Sequence, residues 1–240
     1  MRTREGAVGT ELDPDALTIG FARRFASYKR AGLLASDDAG LLRVLDDRKR
    51  PVQIIFAGKA HPNDGDGKAI LASIIGIARD AGFDGRVAVL DDYGIEQARL
   101  LVQGADLWLN TPRRFREASG TSGMKAGMNG VLNLSVLDGW WREAYEPAIG
   151  WAVADEFSDL GDKAEAAELL RLLEKEVVPA FFDRDRAGVP AAWVETMKSS
   201  IRVVGEKFNG ARMLMEYAEL YERARRGPEL EAPRAGSRRA

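Results

Sequence analysis

The sequence has no cysteine and only one histidine, His61. Without thiols there is no disulfide, no thiolate metal site and no cysteine nucleophile. A single imidazole excludes both a multi-histidine metal centre and a histidine relay, so no metal is expected. No apolar run approaches the roughly 20 residues that cross a bilayer, and the first residues lack the apolar core of a signal peptide. A cytoplasmic protein without a membrane partner is expected. Net charge is scarce too: 35 Lys and Arg face 37 Asp and Glu, a formal balance of -2. No whole-chain field therefore favours nucleic acid, and any anion site must be local.

What the chain does have is a normal core composition, 45% hydrophobic over 240 residues, enough for one large domain or two small ones. Short apolar runs suited to buried strands occur at Leu17–Phe21, Pro51–Gly58, Val87–Leu90, Ala105–Asn110 and Val131–Val136, with a sixth at Ile149–Val153. Helical patterns fall between them, at Ala31–Leu45, Lys68–Ala81 and Ile95–Gln103, and dominate from Lys163 onward as Ala164–Val178, Pro190–Val204 and Ala211–Arg225. Strands alternating with helices predict an α/β fold with a doubly wound parallel sheet over residues 16–225. The polar start, 1–15, and the charged end, 226–240, are expected to be loose and disordered respectively.

Chemistry concentrates in Glu117–Gly130, which reads EASGTSGMKAGMNG. Glycines bring backbone close to a ligand, and the first turn of a helix presents N–H groups to an anion. Ser119, Thr121 and Ser122 add hydroxyls, and Lys125 falls one helical turn after Thr121, either as a point charge or as a Schiff-base lysine. On these residues alone, a capped turn with a solvated lysine is the more common explanation of such a stretch. A second basic cluster, Arg23, Arg24, Lys29 and Arg30, follows the first long strand. Parallel sheets bind ligands at that edge, and cations at the start of the following helix would oppose its dipole unless an anion joined them. Tyr93 also follows a strand. His61 is a candidate base or a turn residue, Lys59 a candidate supporting cation, and Trp140–Trp141 suit either sugar stacking or the core.

The segment Glu117-Ala-Ser-Gly-Thr-Ser-Gly-Met-Lys125, followed by Asn129-Gly130-Val131-Leu132, resembles the cofactor-lysine motif of the α-glucan phosphorylases, in the version of the shorter bacterial enzymes. The basic motif ending in Tyr28-Lys29-Arg30 and the turn Gly58-Lys59-Ala60-His61-Pro62 resemble the same family, in the same order. The resemblance extends from about Leu17 to Val153 and implies a Rossmann-like domain that forms the C-terminal half of a glycosyltransferase-B fold. It implies pyridoxal 5′-phosphate carried as an imine on Lys125, with Thr121, Ser122, Gly123, Tyr93 and Lys29 around the cofactor. Arg24 and Lys29 match residues that hold the substrate and cofactor phosphates, while Glu117, Ser119 and Gly120 match a site for glucose hydroxyls. Arg23 stands where longer family members have lysine.

The implied reaction is phosphorolysis of an α-1,4-glucan by inorganic phosphate to glucose 1-phosphate, with Lys29, Arg24, Glu117 and Lys125 as its catalytic residues. Family members have a further N-terminal domain, so an N-terminal lobe or a homo-oligomer is an expected partner, and the chain by itself is expected to be incomplete. Two alternatives remain at this stage: a nucleotide-sugar glycosyltransferase lobe resembling glycogen synthase, and a non-catalytic lobe that binds cofactor or glucan.

Overall fold

The computed structural model describes residues 7–8, 12–83, 85–90, 92–154 and 161–226. Most of the start expected to be loose and nearly all of the charged tail lie outside them. Within the start, Ala7–Val8 form β1. The remaining strands are β2 (Leu17–Ala22), β3 (Val52–Ala57), β4 (Val87–Leu90), β5 (Leu107–Asn110), β6 (Leu132–Val136) and β7 (Gly150–Val153). The strand residues of β3, β5 and β6 are buried throughout, as a sheet covered on both faces requires.

The sheet order is β1-β4-β3-β2-β5-β6-β7. The last six are parallel, and only β1 adds antiparallel, on β4. Counted along the chain, those six have the doubly wound order in which successive strands run outward from β2 to one edge, then return to its other side at β5. The expected α/β, Rossmann-like fold is therefore present. Helices α1 (Asp38–Leu45), α2 (Gly65–Arg79), α3 (Ile95–Gly104), α4 (Thr121–Met128), α5 (Trp140–Ala144) and α6 (Gly161–Leu172) lie in the crossovers and after β7. A π-helical stretch, Leu173–Val177, joins α6 to α7 (Val178–Phe182), and α8 (Ala191–Lys207) and α9 (Gly210–Arg226) complete the chain. Among the described residues no helix is long and apolar enough to cross a membrane.

One sequence expectation fails here. The helix expected over Ala31–Leu45 begins only at Asp38, preceded by single 3-10 turns at Ser27–Lys29 and Leu34–Ser36. Asp37 restarts the chain as a helix by accepting the Gly40 N–H at 2.9 Å. Before it, Ala31, Leu33 and Leu34 reach the core along an irregular path. The basic cluster therefore stands at a strand end followed by a turn, not at the start of a helix.

Arg30, the last residue of that cluster, is a structural tie. Its buried guanidinium donates to the carbonyls of Thr111 (3.0 Å) and Pro112 (2.8 Å), to Asp162 (2.9 Å) and to Glu165. It thereby clamps the chain leaving β5 onto α6. Five donors in a rigid fork suit a buried guanidinium to such a junction, where an ammonium would leave acceptors unmet.

Candidate functional site

Because the strand order reverses between β2 and β5, the segments leaving their C-terminal ends diverge and open a crevice there. The first segment, Arg23–Arg30, supplies cations. The second, Thr111–Gly120, supplies Glu117. Gly58, at the end of β3, lets the Arg23 backbone pass close: with φ +153°, a Cβ on it would lie 2.0 Å from the Arg23 carbonyl oxygen.

Glu117 is held at both ends. Its backbone N–H donates to Asp138 Oδ2 at 2.9 Å, and the Arg116 N–H donates to the same oxygen at 3.1 Å. Its carboxylate takes Arg23 Nη2 and, at 3.1 Å, Lys29 Nζ, both on the single oxygen Oε2. The three side chains are each no more than 10% exposed. Burying charge costs several kcal/mol per ion unless it is paired, and here two cations share one anion, leaving a net positive charge in a sheltered crevice. Among the described residues, Nε and Nη1 of Arg23 are buried without a hydrogen-bond partner. A donor left so costs about 1–3 kcal/mol.

Tyr28 extends this cluster. Lys29 Nζ sits 4.8 Å from its ring centroid. Burial works to raise the Tyr28 phenol, but hydrogen bonds from Lys29 and Arg24 and the Lys29 charge outweigh it and leave the group below its ordinary range. Arg24 also acts on the Tyr28 phenol, but its exposed side chain lines a surface hollow with His61, Asn63 and Asp64. His61 acts there as a turn acceptor, its Nδ1 receiving the Asn63 N–H at 3.2 Å. Lys59 pairs with Asp92 at 2.9 Å on the exposed rim.

Beyond Glu117 the chain turns into α4. Gly120, at φ +93°, precedes the helix, and no side chain caps it. The first-turn N–H groups of Thr121 and Ser122 therefore point outward at the positive end of the helix. Ser119, Thr121, Met124, Lys125 and Met128 line one groove, about 760 Å³ in volume, with Trp140 and the start of α9 as its other wall. Lys125 is exposed in it.

Not every expected residue faces these openings. Gly123 is buried packing: a Cβ there would lie 2.8 Å from both Asn133 Oδ1 and Trp140 Nε1. Ser122 Oγ accepts from Trp108 Nε1 at 3.4 Å. Tyr93 packs, partly buried, against the core cluster that includes Leu101, Trp108 and Ala126, and burial raises its phenol. Trp140 and Trp141 resolve toward the core: both are buried, and Trp141 Nε1 donates to the Trp151 carbonyl at 3.2 Å. The structure thus joins Lys29 and Glu117 directly, leaves Arg24 exposed at a neighbouring hollow, and sets Ser119, Thr121 and Lys125 along one groove. Two residues of this arrangement were less visible in the sequence. Arg23 signalled itself only as an extra cation at a strand end, and Asp138 only as an acid before a glycine.

A profile of the carbohydrate phosphorylases matches residues 3–170. Similar proteins include a glycogen phosphorylase of Aquifex aeolicus, 48% identical over 212 residues that make up 88% of this chain and 31% of that protein. A maltodextrin phosphorylase of Thermococcus litoralis is 45% identical over 215 residues, 88% of this chain and 25% of that protein. A glycogen phosphorylase of Mycobacterium bovis is 44% identical over 220 residues, 90% of this chain and 26% of that protein. The chain spans about a quarter to a third of the length of these relatives.

Proposed function

The chain belongs to the carbohydrate phosphorylase family, and from that premise we propose that it is the anion- and cofactor-binding lobe of an α-glucan phosphorylase, a glycosyltransferase that moves a glucosyl unit from an α-1,4-glucan to inorganic phosphate. The observation that carries this reading is the meeting of Arg23, Lys29 and Glu117 at the sheet's reversal point, beside an uncapped helix whose second turn bears Lys125.

Pyridoxal 5′-phosphate suits these residues. The orphaned donors of Arg23 and the open N–H groups of α4 call for an acceptor-rich anion, and exposed Lys125 offers an amine to an aldehyde. When bound, the cofactor would supply a phosphate able to pass a proton to the substrate phosphate. Lys125 would hold its ring end, with Tyr93 as a neighbouring aromatic wall. Lys29, Thr121, Ser122 and the Gly123 backbone would surround its phosphate, and Arg24 the substrate phosphate. Two phosphates side by side repel strongly in a sheltered crevice, so cations on one side and helix N–H groups on the other are what makes their approach feasible. Glu117 would accept hydrogen bonds from glucose hydroxyls and, with the Ser119 and Gly120 backbone, hold and orient the sugar. The remaining wall of the glucan site would come from an N-terminal lobe.

The test is absorbance of the purified chain with pyridoxal 5′-phosphate, followed by borohydride reduction and peptide mass mapping. An adduct on Lys125 supports the proposal. An adduct spread over surface lysines, or none, counts against it.

A further inference from the structure

Glu117 and the cations that hold it pose a competition. Its Oε2 takes both Arg23 and Lys29, yet the same two sheltered cations are the groups an incoming anion would meet in the crevice. A dianion entering there meets a site whose charge is already balanced in part by the protein's own carboxylate. Two features make that balance exchangeable. Arg23 spends only Nη2 on Glu117, keeping Nε and Nη1 buried and unpartnered, so the Glu117 contact leaves the guanidinium short of acceptors that a tetrahedral dianion has in excess. Glu117 in turn is anchored through its backbone N–H by Asp138 and not through its carboxylate, so the side chain can leave the cations while the loop stays in place.

We infer that Glu117 is an exchangeable counter-ion of the Arg23–Lys29 pair: a phosphate-type dianion displaces its carboxylate from the two cations, and the released carboxylate becomes the acceptor for a sugar hydroxyl. Anion and sugar then favour one another without touching. The dianion frees Glu117 for the hydroxyl, and a hydroxyl that engages Glu117 weakens its hold on the cations. Such coupling is reciprocal by thermodynamic necessity. This exchange presupposes the anion site proposed above, but not attachment of a cofactor to Lys125.

Sulfate, a dianion of fixed charge at neutral pH, is the probe, titrated calorimetrically into the whole chain. Glu117→Gln, which keeps shape and removes the charge, should bind sulfate at least about tenfold more tightly than wild type, since a buried like charge no longer opposes the ligand. Adding Arg23→Gln to it should abolish the gain. Glucose should tighten sulfate binding in wild type and leave it unchanged in Glu117→Gln. In wild type alone, the side-chain Nε–H signal of Arg23 should shift on sulfate addition, a readout that holds whether or not any variant folds. Unchanged or weaker sulfate binding in a folded Glu117→Gln protein, a gain that survives loss of Arg23, or an Arg23 signal indifferent to sulfate would each overturn the exchange. So would sulfate affinity in wild type that glucose does not alter. Failure of the Lys125 adduct with these results intact would instead count against the cofactor reading alone.

Discussion

Asp138 accepts the backbone N–H of Glu117 at 2.9 Å, across 21 residues of chain that include the whole of α4. The same carboxylate takes the N–H groups of Arg116 and, through its other oxygen, Gly139 at 3.0 Å. A buried acid after β6 therefore fixes the loop after β5, and with it the position of the carboxylate that faces Arg23 and Lys29.

Asp138→Asn is expected to destabilise the fold by about 2 kcal/mol, because an amide cannot accept at both of its ends and leaves buried N–H groups unmet. Urea unfolding measures the loss. Sulfate binding should tighten, as a Glu117 that has lost its anchor competes less for Arg23 and Lys29.

Lys125→Ala should remove covalent cofactor attachment while changing stability by less than about 0.5 kcal/mol, as surface substitutions usually do. Lys125 is exposed and lines a groove, so its loss opens no cavity. A persistent reducible adduct at neighbouring positions in the variant would contradict the assignment.

Lys29→Ala removes one of the two cations on Glu117. Affinity for pyridoxal 5′-phosphate, followed by the cofactor's absorbance at rising concentration, should drop about tenfold, the size of one charge-assisted hydrogen bond. Equal affinity in variant and wild type would speak against an anion site at this strand end.

Gly139 sits at φ +52°, ψ -135°, and a Cβ there would stand 2.5 Å from the Ser119 carbonyl oxygen and 2.9 Å from that of Glu117. Both contacts are backbone, which cannot swing aside. Gly139→Ala should cost more than about 2 kcal/mol, read as a lowered melting temperature, since strain and overpacking add.

Asp106, which accepts the Thr18 N–H at 2.8 Å, has its carboxyl raised by burial, only partly offset by that bond. An acid raised in the folded state favours the fold while protonated. Its contribution is full below the unfolded value near 3.9 and is lost as pH rises through the higher folded value. Asp106→Asn keeps an acceptor for Thr18 and carries no charge. Its melting temperature relative to wild type should therefore improve as pH increases from about 4 to 7; a gap that stays constant or closes would refute the assigned burial effect.

Much of this molecule was legible along the chain. All six parallel strands are written as short apolar runs, since a strand covered on both faces has no polar side to show. Glu117, Thr121 and Lys125 stood out because glycines and hydroxyls gather before an apolar repeat, and Lys29 because it follows a strand. The break before α1 was less legible: Ala31, Leu33 and Leu34 read as a helix face, and only their separate routes into the core show otherwise.

The sequence by itself thus determined the alternating α/β class, the family, and the short list of residues able to meet an anion, because periodicity and local chemistry are properties of neighbours in the chain. Tertiary structure alone decided which of those residues meet. Arg23 and Glu117 lie 94 positions apart and come together only because the strand order reverses between β2 and β5. The same folding turned Arg30 into a buried clamp on α6, Gly123 into packing against Asn133 and Trp140, and the paired tryptophans into core. Partners so distant in sequence leave no local pattern, and burial, which decides whether a charge binds ligand or protein, is set by what the rest of the chain packs around it.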